Sequence, residues 1–263
     1  MGSENTTLFL GSSNYDGKPI AVQAMSVKRA SDNEKTGDMI QHMIASTEKP
    51  PVDKDAAVSA CGGCPFLEWR ICYVNKAWLR KAWNRIQDTI LDLSEFRRLR
   101  RVKRQPHRIG SEGDPCAVPL SFWRDFFKTV RPNGWTSYVH GWKARKMHTT
   151  GEKAPACDPG FAAFSMASCD TVEERAEAKA LGYRTARVAI EGEALLDGEI
   201  ICPAIKTDGR IQCADCLLCD GDAMGKASFS PYFKGKNRPD IVFPVHGGAG
   251  QQAKFANLVE ALG

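Results

Sequence analysis

No apolar run in the chain approaches the roughly 20 residues that a membrane-spanning helix needs. The first residues, Met1-Gly2-Ser3-Glu4-Asn5, lack the basic and apolar regions of a secretory leader. These two absences predict a cytoplasmic protein that avoids membranes. No G-x-G-x-x-G follows the first apolar run and no P-loop is present. A dinucleotide fold or a nucleoside-triphosphate site is therefore not expected.

Cysteine, by contrast, is plentiful, at 10 in 263 residues. In a reducing compartment such thiols serve as ligands or stay free, and seldom form disulfides. They also cluster, with Cys61, Cys64 and Cys72 in one group and Cys202, Cys213, Cys216 and Cys219 in another. The C-x2-C-x2-C spacing of Cys213, Cys216 and Cys219 can turn three thiolates toward one point, which suits a soft or borderline metal. His246, at the end of the apolar run 241–245, would complete a Cys3His zinc site. Cys202 would instead give four sulfurs, the supply for a 4Fe-4S cluster. In the first group Gly62 and Gly63 let Cys61 and Cys64 face one centre, with Cys72 as a third ligand. Ordinary buried thiols are the alternative for both groups.

The formal net charge is a modest +5, but it is unevenly spread. Arg97, Arg98, Arg100, Arg101, Lys103, Arg104 and Arg108 fall in one short segment. Such density suits the phosphates of DNA or RNA, or else marks a solvated helix face.

Apolar patterning predicts a single α/β domain over 1–263. Two short strands at the start precede a polar segment, 27–57, read as a long loop or arm with a short helix over 39–44. The spacing of Trp78, Leu79, Ala82, Trp83, Ile86 and Ile90 predicts a helix over 76–102. From His107 onward, strands alternate with helices, indicating a largely parallel sheet. A compact or incomplete (β/α)8 TIM-like barrel is expected, with an open doubly wound sheet as the alternative and 202–246 as the metal-binding segment.

Polar groups expected at the strand ends are Glu112, Asp114, His140, Asp170 and His246. Two acids from different strands can divide a displacement at a sugar carbon, one attacking and one moving a proton. Asp114 and Asp170 are the candidates, although Asp170 could equally cap the helix that follows it. Arg108, Ser111, Glu112 and His140 are the expected substrate contacts.

The late cysteine set followed by a distant His resembles the zinc site of tRNA-guanine transglycosylases, which use C-x-C-x2-C and a distant His. Cys61-Gly62-Gly63-Cys64-Pro65, Gly110-Ser111-Glu112-Gly113-Asp114-Pro115, Met166-Ala167-Ser168-Cys169-Asp170 and the Cys213–219 run together resemble small phage- and plasmid-borne relatives of the DNA 7-deazaguanine transglycosylases. The resemblance implies exchange of guanine in DNA for a 7-deazaguanine base in a host cytoplasm. It implies Asp114 and Asp170 as the acids, and zinc on Cys213, Cys216, Cys219 and His246. The D-S-G-G-F and M-F-D motifs of the tRNA enzymes are absent. An iron–sulfur enzyme and a non-catalytic zinc-stabilised nucleic-acid-binding protein are the alternatives.

Overall fold

The computed structural model describes residues 5–262 apart from 32, 69, 70, 73, 75, 87, 148, 191, 223–229, 232–237 and 246–248. The first two apolar runs form an antiparallel hairpin, β1 (Thr6–Ser12) and β2 (Pro19–Met25). Gly17, at φ +72°, supplies the left-handed backbone its turn requires. The expected arm at 27–57 instead contains a central strand, β3 (Ile40–Ser46), and the start of helix α1 (Lys54–Cys61). All seven residues of β3 are buried. A strand covered on both faces loses the alternation that would reveal it, which is why 39–44 reads as helix.

Three short helices follow: α2 (Pro65–Glu68), α3 (Lys76–Trp83) and α4 (Leu93–Arg98). The long helix expected over 76–102 is therefore broken. Thr7 bonds the backbone of Thr89 and Leu91, and Asp92 with Glu95 forms a capping box that starts α4 afresh.

The alternating region begins with β4 (His107–Glu112), α5 (Leu120–Thr129) and β5 (Trp135–Val139). A small hairpin of β6 (Arg145–Lys146) and β7 (Lys153–Ala154) precedes β8 (Met166–Cys169). Then come α6 (Val172–Ala180), β9 (Thr185–Ala189), β10 (Glu199–Ile201), α7 (Pro203–Lys206) and α8 (Cys213–Cys216). The last elements are β11 (Asp240–Pro244) and α9 (Ala249–Leu262). No helix among the described residues is long and apolar enough to cross a membrane.

Nine strands form one sheet in the order β1-β2-β3-β4-β5-β8-β9-β11-β10, parallel from β3 onward. Its edge strands do not pair among the described residues, so the sheet is open and no barrel closes. From β3 to β9 the strand order follows the sequence, and it reverses only at β11 and β10. Alternation along the strands sends Ile109, Val139, Ala167 and Cys169 to one face, where Phe96, Trp123 and Phe126 cover them. Tyr138, Met166, Ala186 and Ile241 point the other way, toward Cys202, Cys216 and Cys219.

A histidine pair lies within the first face. His42 Nε2 is 2.8 Å from His107 Nδ1, and His107 Nε2 is 3.2 Å from the Val102 carbonyl. The carbonyl can only accept, so His107 carries its proton on Nε2 and accepts from His42 Nε2–H. Burial lowers His42 well below its usual value and His107 to about 4. Both rings are therefore neutral, and the stability they preserve is full above pH ~6.5 and lost as pH falls. His107 alone accounts for about 3 kcal/mol across that window. The urea midpoint should fall steadily below about pH 6.5. His42→Phe, which removes one titrating ring, should flatten that slope.

Candidate functional site

The carboxyl ends of β4, β5 and β8 bring together Asp114, His140 and Asp170, residues the sequence places at strand ends. Their surroundings differ sharply. Asp114 Oδ1 accepts from the Cys116 amide at 2.9 Å, and Oδ2 accepts from the His140 and Gly141 amides at 2.7 and 2.9 Å. Its own amide donates to the Ala60 carbonyl at 2.7 Å. Burial raises its pKa while these three amides oppose the rise. Gly113 is the hinge for this approach. At φ +78°, its backbone passes so close to Ile44 that a Cβ would meet that carbonyl at 2.5 Å. Asp114 thus ties the end of β4 to the end of β5 with its lone pairs already engaged.

Asp170 has a fully inaccessible side chain, and neither oxygen has a hydrogen-bond partner among the described residues. Oδ1 stands 4.0 Å from His140 Nε2 and Oδ2 stands 3.8 Å from Arg145 Nη2. Burial pushes its pKa up to about 7, with Arg145 and Lys143 opposing the rise and Glu174 adding to it. Capping does not occupy this carboxylate. Thr171 Oγ1 caps α6 by accepting from the Glu174 amide at 3.1 Å, and Glu174 Oε2 accepts from the Asp170 amide at 2.9 Å. Glu174 Oε1 also lies 2.7 Å from Arg145 Nη2 and 3.3 Å from Lys143 Nζ. Those cations outweigh burial and hold Glu174 below its usual value.

His140 Nε2 likewise has no hydrogen-bond partner among the described residues, while Nδ1 lies 3.6 Å from Cys64 Sγ. Burial first, and then Arg145, depress its pKa to about 3, so the ring is neutral. The Phe66 ring meets it edge-on at 5.2 Å. A tight crevice here, without room for a water molecule, is lined by Tyr15, Cys61, Cys64, His140, Lys143 and Arg145. Sequence reasoning missed Arg145 and the pairing of Cys64 with His140.

The second cysteine group packs on the same sheet face as Tyr138. Burial raises the Cys219 thiol, and Cys202, Cys213 and Cys216 add to the rise while the Tyr138 hydroxyl opposes it. Cys213 also feels Cys202 and Arg108, so Arg108 belongs beside these thiols. Leu217, at φ +51°, turns the backbone between Cys216 and Cys219. The donor chemistry suits zinc or an iron–sulfur cluster. Among the described residues, however, no three His, Cys, Asp or Glu side chains are arranged to hold a metal ion. His246 lies outside the described residues.

The remaining expected contacts are dispersed. Ser111 Oγ donates to the His42 carbonyl at 3.1 Å, and Glu112 is buried. Arg97 donates to the Thr129 and Val130 carbonyls. Arg101 reaches the Ser26 carbonyl at 3.0 Å and the Asp38 carboxylate at 3.1 Å. Arg98, Arg100, Lys103 and Arg104 are exposed. Arg100, Arg101 and Arg104 border a groove of about 530 Å³ with Val27, Lys28 and Leu99. This groove precedes β4 and so sits at the amino end of the parallel strands. Strands rise about 3.3 Å per residue, which puts the groove on the order of 20 Å from Asp170. The arginines and the buried Asp170 occupy opposite ends of the sheet. No family model matches the chain, and neither does any curated protein or solved structure.

Proposed function

We propose that the protein is a DNA-modifying transglycosylase on an open, largely parallel α/β sheet, exchanging guanine for a 7-deazaguanine base. The observation that carries this reading is Asp170, a buried carboxylate with no hydrogen-bond partner among the described residues, held at the end of β8 beside His140 and Arg145. When ionised, Asp170 attacks the sugar carbon, its oxygen forms the new bond, and guanine leaves with the electrons of the old one. The incoming base gives its ring N–H proton to the departed guanine, bonds the sugar carbon through that nitrogen and frees the carboxylate. Arg145 and Lys143 offset charge in the crevice. Asp114, with its oxygens engaged, positions the His140 and Gly141 backbone and does not react.

Zinc on Cys213, Cys216 and Cys219, with His246 or Cys202, would brace the loops structurally. Arg98, Arg100, Lys103 and Arg104 would meet phosphates of the same duplex, so bound DNA has to reach around the sheet. RNA would meet the same contacts.

Labelled 7-deazaguanine incubated with duplex DNA and purified protein should enter the DNA. Asp170→Ala should abolish incorporation. A nucleophile must be ionised, so the rate should climb with pH to a plateau above about 7. DNA that binds normally yet never acquires label would refute the reading. The four neighbouring thiols favour an iron–sulfur enzyme as a second reading. Brown protein with visible absorbance that Cys202→Ser bleaches would establish it, whereas colourless protein with stoichiometric zinc would not.

A further inference from the structure

Base exchange leaves the Cys64 side chain without a task, yet that thiol stands against the reacting groups. Its Sγ lies 3.6 Å from His140 Nδ1, and His140 Nε2 lies 4.0 Å from Asp170 Oδ1. Thiol, imidazole and carboxylate follow one another in a row, supplied by the turn after α1, the end of β5 and the end of β8. If Cys64 donates to Nδ1, the ring proton sits on Nε2, facing the carboxylate. Neither Nε2 nor the Asp170 oxygens have a competing hydrogen bond among the described residues. Cys64 is only partly buried and borders the crevice together with Lys143 and Arg145. Two glycines make the approach feasible. Gly62 adopts φ +57°, and at Gly63 a Cβ would meet Arg145 Cβ at 2.7 Å.

We propose that Cys64, His140 and Asp170 form a nucleophilic relay that takes an acyl group from an ester or thioester onto Cys64 Sγ. A base within reach of a thiol, itself oriented by a third group, is the arrangement that activates such a nucleophile. As Sγ bonds to the carbonyl carbon, the thiol proton passes to His140 Nδ1. The carbon–oxygen or carbon–sulfur bond then breaks, and the leaving alkoxide or thiolate takes that proton. Water afterwards cleaves the thioester, releasing a carboxylic acid and restoring the thiol. Lys143 and Arg145 stabilise the negative charge that builds on the carbonyl oxygen. Burial raises the Cys64 thiol above its usual pKa, so it rests protonated and depends on His140 as base. Asp170 is here a positioning residue, and the inference stands independently of base exchange.

The test uses p-nitrophenyl acetate with the full-length chain and no DNA. A burst of nitrophenolate is expected, with an acetyl group on the peptide carrying Cys64. Cys64→Ala should remove both. Loss of the base in His140→Ala should slow the burst on the order of 100-fold or more. Asp170→Asn should slow it about tenfold or more without changing which thiol is labelled. It should also erase an inflection near pH 7 that Asp170 imposes amid Arg145, Lys143 and Glu174. Acetyl groups scattered over the cysteines, or a burst unaffected by His140→Ala, would overturn the relay. So would a chelator-sensitive metal that shields Cys64 from labelling. Because DNA is absent, failure of base exchange leaves the outcome untouched.

Discussion

Asp170→Asn should make the protein more stable at about pH 8 while ending the proposed base exchange. The Asp170 carboxyl has a folded pKa of about 7, against about 3.9 for an unfolded aspartate. Below pH ~4 both states are protonated and the fold bears no charge penalty. As pH rises through about 7, the unfolded chain ionises freely and the buried carboxyl ionises at a cost. That difference is worth about 4 kcal/mol as an upper bound. The amide carries no charge and escapes the penalty. Urea unfolding of both proteins from pH 4 to 8 checks this. The curves should meet at the acid end and separate in the variant's favour as pH rises. Parallel curves would mean that Asp170 is not a strained carboxylate. A site that sacrifices stability to hold a reactive group behaves this way.

Asp114→Ala should do the opposite. The variant leaves the Cys116, His140 and Gly141 amides without their acceptor, inside a region where Asp114 itself is buried. An unsatisfied buried donor costs about 1–3 kcal/mol, so three of them should remove about 4 kcal/mol or more. Asp114→Asn retains one acceptor oxygen and should lose less. Thermal denaturation ranks the three proteins, and an Asp114→Ala variant as stable as the parent would show that the amides find other partners. The two aspartates, alike in the sequence, thus separate into a structural tie and a strained acid.

The sequence made part of this legible. Punctuated apolar runs marked most strands, and the motif positions placed Asp114, His140 and Asp170 at strand ends. The buried β3 escaped because burial on both faces leaves no period to read. The helix expected over 76–102 broke because Thr7, far away in sequence, claims backbone groups near residue 90. The Cys64–His140 contact bridges 76 positions, beyond the reach of any local pattern. Arg145 sat in a basic insertion with nothing to distinguish it from a solvated lysine. The arginine run illustrates the converse, since a dense local charge says nothing about which end of a sheet it will occupy.

That last separation has a consequence for how the molecule could change over time. With the cationic groove at the strands' amino ends and Asp170 at their carboxyl ends, a substitution at Arg100 or Arg104 leaves the geometry around Asp170 alone. On the proposed function, grip on a polyanion and bond-making at Asp170 would therefore be free to be tuned separately, one sheet's length apart.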